Sequence, residues 1–150
     1  MVLDAILSYL HFMAVFVLFA FLTAQAMVLR AALDADRVRL LGRLDLWYFG
    51  AALAALATGL ARLWLGAKGA SFHLGAWPVY AKIALYIAVA LISIVPTLSF
   101  RRWRRAAARD ASWQVPAAEQ RRMRRFVMIE VHIAALIPVL AVMMARGLGY

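Results

Sequence analysis

The chain has 150 residues, of which 67% are hydrophobic and 16% are charged, with a mean hydropathy of +0.82. A soluble domain has about half apolar and about a quarter charged residues, so this composition excludes a soluble catalytic domain and indicates a membrane protein. The absence of cysteine excludes disulfides, thiolate nucleophiles and iron–sulfur clusters, and the meaning of the net charge of +10 depends on where the basic residues lie.

Four apolar runs have the length of a bilayer core, which takes about 20 helical residues. The first two are residues 3–29 and 44–65. The second run has small residues at four-residue spacing, a pattern typical of close helix packing within a bundle or in a homo-oligomer: Ala51, Ala55 and Gly59.

The other two apolar runs are residues 77–100 and 126–145. Trp77 and Pro78 open the third run, where an interfacial aromatic residue and a proline in the first helical turn both fit. Gly147 follows the fourth run and predicts its end. Together the runs predict an all-α fold, a bundle of four transmembrane helices forming one integral membrane domain over residues 1–150.

The basic residues predict the orientation of this bundle. Of the 17 basic residues, 13 lie in the two segments 30–43 and 101–125. Both segments connect spans on the same side, and positively charged loops stay in the cytoplasm. We therefore expect both termini to lie outside, in a bacterial inner membrane.

The segment 101–125 combines arginines with Trp103 and Trp113. Basic residues interleaved with aromatic ones suit a nucleic acid strand. Anionic lipid headgroups explain the segment better, because arginine clusters with interfacial tryptophans beside a span are attracted to the inner leaflet. We thus expect a lipid bilayer with anionic headgroups as partner and no nucleic acid. Ser112, Pro116 and Glu119 indicate a helix start before the fourth span.

His11 lies roughly 12 Å below the outer boundary of the first span, at a rise of about 1.5 Å per residue. Asp4, Ser8 and Gln25 share its helix face, so we expect this stripe to face the bundle. Two interpretations remain open for the imidazole: a hydrogen bond to a neighbouring helix, or a functional role as axial haem ligand, metal ligand or proton-transfer group.

Lys82 and Arg62 lie near the same outer boundary, in the third and second spans. Either side chain can extend to the headgroups or turn into the bundle. Tyr86, Ser93 and Thr97 share the face of Lys82, and a polar stripe more often lines an interior than it faces lipid.

His11, Arg62 and Lys82 thus occupy one outer layer of three different helices. A neutral imidazole can bind a metal axially, while an arginine and a lysine can neutralise the two propionates of a porphyrin. This spacing permits a haem pocket near the outer face.

Glu130 and His132 lie toward the inner end of the fourth span and point about 200° apart, so they cannot both face one site. For Glu130 we expect an ion pair with a nearby arginine such as Arg30 or Arg101. His132 lies lower than His11, which argues against a haem with two histidine ligands without excluding it. His73, in the outer loop, is expected to be a solvated surface residue.

Four stretches of the sequence resemble a bacterial family of uncharacterised four-helix inner-membrane proteins, a domain-of-unknown-function family. The stretches are SYLHFMAVFVLFAF, LATGLARLWLGAKGA, WPVYAKIALYIAVALIS and RRMRRFVMIEVHIAALIPVLAVMMARG. The resemblance covers nearly the whole chain and implies the architecture without an activity.

A weaker resemblance links the chain to the HemJ-type membrane protoporphyrinogen oxidases. Leu10 with His11, Trp77 with Lys82, and Glu130 with Val131 are similar in order to motifs of that family. The resemblance implies a b-type haem near His11, with His11 and Lys82 as essential polar groups and Glu130 as a further site residue.

This second resemblance is partial. Ile129 and His132 replace an Asn and a Pro of the last motif, and residues 19–23 replace a longer signature after the histidine.

Two functions follow as hypotheses. The first is a haem-binding redox protein of the inner membrane, either a tetrapyrrole oxidase or an electron carrier, with His11 as ligand and Arg62 and Lys82 near the propionates. The second is a small structural or accessory membrane protein, whose polar groups tie the helices together and whose basic loop binds lipid or a cytoplasmic partner. A transporter is less favoured, because four spans without discontinuous helices make a poor alternating-access machine.

Overall fold

A computed structural model of the chain describes residues 2–66, 75–110 and 112–148. Among these residues it contains four helices and no strand: α1 (Val2–Val28), α2 (Ala35–Leu65), α3 (Trp77–Arg109) and α4 (Ala117–Ala145). Each helix is long and apolar enough to cross a membrane. The predicted all-helical fold with four spans is therefore confirmed.

Three helix ends extend beyond the apolar runs that predicted the spans. The second helix begins at Ala35 rather than at residue 44, the third ends at Arg109 rather than at 100, and the fourth begins at Ala117 rather than at 126. The extensions carry arginines on one side and buried apolar residues on the other, so they are amphipathic continuations of the same helices. The basic segments are therefore largely helical.

Local capping explains where these helices begin and end. The Asp34 side chain accepts a hydrogen bond of 2.8 Å from the amide of Arg37 at the start of α2. At the end of α4, Gly147 adopts a φ of 75° and the amide of Leu148 donates to the carbonyl of Met143 at 3.0 Å. This arrangement is a glycine C-cap, and it confirms Gly147 as the stop signal.

The connection between α3 and α4 is held by a local turn rather than by an early helix start at Ser112. Ser112 donates to the Asp110 carboxylate through its amide at 2.8 Å and its hydroxyl at 2.6 Å. These two bonds hold the pKa of Asp110 below its usual value. Pro116 precedes α4 directly, so the helix begins four residues after the start expected at Ser112.

The four helices form a ring in which each packs against its two neighbours in chain order, and α4 returns to α1. Packing is closest within the pairs α1 with α2 and α3 with α4. We call one end the arginine-rich half and the other the terminal half. The arginine-rich half comprises residues 18–48, 93–110 and 112–130, and the terminal half comprises residues 2–17, 49–66, 75–92 and 131–148.

The main hydrophobic core fills the arginine-rich half. Its largest fully buried side chains come from all four helices: Leu22, Leu41, Phe100, Trp103, Met123 and Val127. Gln120 closes this half, because its amide nitrogen donates to the carbonyls of Leu29 at 3.0 Å and Ala31 at 2.7 Å, just beyond the end of α1. The four helices are thus joined most firmly at this end.

Trp103 corrects one prediction about the basic segment. The residue was expected at the membrane interface among the arginines, but it is 0% exposed and packs against Phe100 in the core. Phe100, Trp103 and Ala107 repeat at three- and four-residue spacing, so the buried face of α3 continues past the first arginines. Trp113 lies at the edge of the same core.

Candidate functional site

The three cationic or imidazole groups predicted to converge lie in the terminal half of the bundle. His11 belongs to α1, Arg62 to the last turn of α2 and Lys82 to the second turn of α3. All three side chains are half-buried. His11 interacts electrostatically with both cations, and Lys82 also interacts with Arg62. The structure therefore brings these groups into one neighbourhood.

The imidazole of His11 is anchored on α2. Its Nδ1 lies 3.1 Å from the carbonyl oxygen of Ala55 and 3.1 Å from the hydroxyl oxygen of Thr58. The Thr58 hydroxyl donates to the carbonyl of Ala54 at 2.6 Å, so its oxygen accepts from the imidazole. A carbonyl oxygen can only accept, so Nδ1 carries the proton and the lone pair of the neutral ring lies on Nε2.

Small residues on α2 make room for this imidazole. A Cβ atom added to Gly59 would lie 3.2 Å from Cε1 of His11, which is tighter than an ordinary contact. Ala51 and Ala55, at the same four-residue spacing, are buried. The small-residue face therefore packs within the bundle, against α1. Packing within the bundle was one of the two roles that its spacing predicted.

Within the described chain, Arg62 contacts an aromatic ring and forms no ion pair. Its guanidinium carbon lies 5.5 Å from the centre of the Phe12 ring on α1, within the range of a cation–π contact. Its Nε is buried and has no hydrogen-bond partner among the described residues. One donor of this guanidinium is thus desolvated and unpaired, which is costly unless another group accepts from it.

The polar stripe on α3 faces the interior, as its pattern predicted. Ser93 and Thr97 are 2% and 6% exposed. The Tyr86 hydroxyl donates to the carbonyl of Ala52 on α2 at 2.9 Å. Lys82 shares this face and is half-buried, so its side chain begins on the side of α3 that meets the bundle.

Glu130 lies in the other half of the bundle, apart from the cationic group. It is 1% exposed, and the Tyr48 hydroxyl donates to its Oε2 at 3.4 Å across the interior from α2 to α4. Its Oε1 has no hydrogen-bond partner among the described residues. The predicted ion pair with Arg30 or Arg101 is wrong, because within the described chain Glu130 turns into the core while these arginines point to the surface.

Asp45 is a second buried carboxylate that the sequence did not single out as a site residue. It is 7% exposed and accepts a hydrogen bond of 2.9 Å from Thr97 on α3. It lies well inside α2, which begins ten residues earlier, at Ala35. A signal was available: Asp45 and Tyr48 are three residues apart, so they share one helix face.

His132 does not join this group. His132 is exposed, and its Nδ1 donates to the carbonyl of Met128, one turn earlier in its own helix, at 2.6 Å. His73 lies outside the described residues. Within the described chain, no three His, Cys, Asp or Glu residues cluster in a way that could hold a metal ion.

Fold and composition together define a multi-pass α-helical membrane protein. The model of the family described as predicted membrane protein (DUF2214) matches residues 3–149, nearly the whole chain. The chain therefore belongs to this family, which confirms the resemblance to a domain-of-unknown-function family of membrane proteins. No curated protein and no solved structure matches the chain.

Proposed function

We propose that this chain is a haem-binding redox protein of the membrane, with His11 as the axial ligand of a b-type haem. The observation that carries the proposal is the anchoring of His11. Its Nδ1 donates to the carbonyl of Ala55, which orients the ring and leaves the lone pair on Nε2 for a metal. A backbone carbonyl on the distal ring nitrogen is a common support for metal-bound histidines.

The surrounding residues suit the rest of a porphyrin. Arg62 and Lys82 supply two positive charges for two propionate carboxylates, and the buried Nε of Arg62 lacks an acceptor among the described residues. Of the two described histidines only His11 is half-buried, since His132 is exposed and bonded to its own helix. We therefore propose a single protein ligand to the iron and exclude His132 as the second.

The parts played by the chain are binding and orientation. A bound haem would supply one-electron chemistry at its iron. Ala55 and Thr58 would fix the imidazole, Arg62 would hold one propionate, and Phe12 would keep that guanidinium in place and exclude water from it. Lys82 would hold the second propionate or transfer a proton at its ammonium group. Glu130 stays a prediction of the oxidase resemblance, because its partner is Tyr48.

We place this site near the periplasmic face of a bacterial inner membrane. The support is the distribution of arginine, which is concentrated at the ends of α2, α3 and α4 opposite His11. Positive residues favour the cytoplasmic side, so the arginine-rich half would face the cytoplasm and both termini would lie outside.

A second candidate is a structural or accessory membrane protein without a cofactor. Polar bonds across the bundle favour it, because three of them join residues that lie far apart in the sequence: Tyr48 to Glu130, Thr97 to Asp45, and Gln120 to Leu29. Such bonds suffice to hold four apolar helices in one arrangement. In this function His11 would serve only as one more interhelical bond.

Optical spectroscopy separates the two candidates. We expect protein expressed with haem supplementation and purified in detergent to show a Soret band. His11→Ala should abolish the band, and added imidazole should restore part of it by replacing the lost ligand. His132→Ala is the matched control and should keep the band, because this histidine is exposed and donates to a carbonyl of its own helix.

Two results would contradict the haem proposal: parent protein without a Soret band, or a His11→Ala variant with an unchanged band. If the band is absent and His11→Ala lowers only the thermal stability, the accessory function is favoured. Arg62→Gln and Lys82→Gln should keep the position of the band and weaken haem retention, because they remove charge beside the propionates and not the ligand.

A further inference from the structure

Two neighbouring grooves lie on the surface of α3 in the arginine-rich half. The first, of about 490 Å³, runs between α3 and α4 and is lined by Leu98, Arg102, Glu119 and Arg122 among others. The second, of about 400 Å³, follows α3 toward its end. Leu98 and Arg102 line both grooves, so these residues form a shared wall.

The first groove has an apolar part and a cationic part. Val95, Leu98 and Met123 line the apolar part. Leu98 is 59% exposed and lies within the apolar run of residues 77–100. Arg102 lies two residues beyond the end of that run. The groove therefore crosses the level at which hydrocarbon gives way to headgroups.

The cations of this groove are held in position. Arg102 forms an ion pair with Glu119 across the groove, which links α3 to α4. Arg122 lies over the Phe126 ring, with its guanidinium carbon 5.8 Å from the ring centre. Two arginines against one carboxylate leave an excess of positive charge, so a ligand with a phosphate can accept hydrogen bonds from both guanidinium groups.

The second groove adds more positive charge on the same side. Arg101, Arg105 and Arg109 line it together with the shared Arg102. Within the described chain none of these three additional arginines forms an ion pair. The field around Arg102 is thus strongly positive, and a basic pocket between helices at the membrane surface suits anionic lipid headgroups.

We propose that the groove between α3 and α4 is a specific site for an anionic phospholipid. The phosphate would lie between Arg102 and Arg122, and one acyl chain would lie along Val95 and Leu98. The combination of a charged mouth with an apolar floor selects a lipid over a free phosphate, which would use only the mouth. This proposal is independent of haem binding, because the groove and His11 lie in opposite halves.

Native mass spectrometry of the full chain in detergent tests the site. The probes are phosphatidylglycerol and phosphatidylcholine with the same acyl chains. We expect retention of phosphatidylglycerol in preference to phosphatidylcholine. The double variant Arg102→Gln with Arg122→Gln should weaken phosphatidylglycerol binding by roughly thirtyfold, since each arginine near a membrane surface contributes about a factor of five.

A matched control separates a specific site from diffuse attraction. Arg121→Gln with Arg125→Gln removes the same charge from exposed positions of α4 that do not line the groove. This variant should retain binding within about a factor of two. Equal loss in both double variants would overturn the site, and so would equal binding of glycerol phosphate, which carries the headgroup without the acyl chains.

Glu119→Gln provides a test whose expected result, tighter lipid binding, a misfolded variant would not give. Removing this carboxylate frees Arg102 from its ion pair and removes a negative charge from the groove. We expect phosphatidylglycerol to bind several times more tightly, because a phosphate then has both guanidinium groups without competition. Unchanged or weaker binding in a folded Glu119→Gln variant would overturn the proposed position of the phosphate.

Discussion

The two halves of the bundle differ in how they are packed. In the arginine-rich half, Leu22, Leu41 and Trp103 are 0% exposed, and Phe100 is 1% exposed. In the terminal half, no residue of α1 from 2 to 17 is buried. The hydrophobic cluster there consists of Ala76, Val79 and Met144, between α3 and α4. Large side chains thus hold one half together, while smaller contacts hold the other.

The membrane permits this difference in packing, because lipid chains solvate apolar side chains about as well as other side chains do. A loosely packed half need not expose hydrophobic surface to water. Stability can then be concentrated at the arginine-rich end, while His11, Arg62 and Lys82 stay half-buried in the terminal half. The comparison predicts that equal substitutions will have unequal effects in the two halves.

The largest difference should appear between two leucines of the same helix. Leu22→Ala removes a fully buried side chain and should lower the free energy of unfolding by about 2 to 3 kcal/mol. This value lies at the low end for leucine truncation, since in lipid mainly the lost packing remains. Leu10→Ala, at 46% exposure, should cost less than about 0.5 kcal/mol. Unfolding in mixed detergent micelles, followed by circular dichroism, measures both.

Equal costs for the two leucines would contradict the comparison. In that case Leu10 would pack against another chain or a bound group that the single bundle does not contain. Repeating the measurement with haem-supplemented protein would show whether a cofactor supplies that contact.

Much of the fold follows from the sequence, because apolar length is a strong signal for a membrane span. The four helices and the end of the fourth helix before Gly147 were predicted from the sequence. The ends of α2, α3 and α4 in the arginine-rich half were not predicted. A span is recognised where hydropathy is high, whereas a helix continues wherever its backbone bonds and one buried face persist. For this reason Trp103 was expected at the membrane interface, whereas it lies in the core.

The candidate site was predicted in part. His11, Arg62 and Lys82 were predicted in one layer near the same end of three spans, from positions along the helices, and the structure brings them into one neighbourhood. The hydrogen-bond partners of the buried carboxylates could not be predicted from depth. Depth along one helix does not say which neighbour lies opposite, so the bonds from Tyr48 to Glu130 and from Thr97 to Asp45 needed the arrangement of all four helices.

A smaller effect is expected at the junction that closes the arginine-rich half. Gln120→Ala removes two hydrogen bonds to the carbonyls of Leu29 and Ala31 and should lower the free energy of unfolding by about 1 to 2 kcal/mol. Gln114→Ala, at an exposed position in the preceding connection, is the control and should be nearly neutral. If both substitutions are neutral, the end of α1 is held by its apolar contacts alone.

The smallest effect tests the tight contact between α2 and the His11 ring, by a comparison of two glycines of α2. Gly50→Ala meets no atom within 4 Å and should raise the free energy of unfolding by about 0.5 to 1 kcal/mol, because alanine favours a helix interior. Gly59→Ala gains the same helix preference but places its Cβ 3.2 Å from the His11 ring, so its stabilisation should be smaller by about 0.5 kcal/mol or more. Equal stabilisation by both would mean that the imidazole moves aside freely. The Ala55 carbonyl would then not orient it, and the strongest support for His11 as a ligand would be lost.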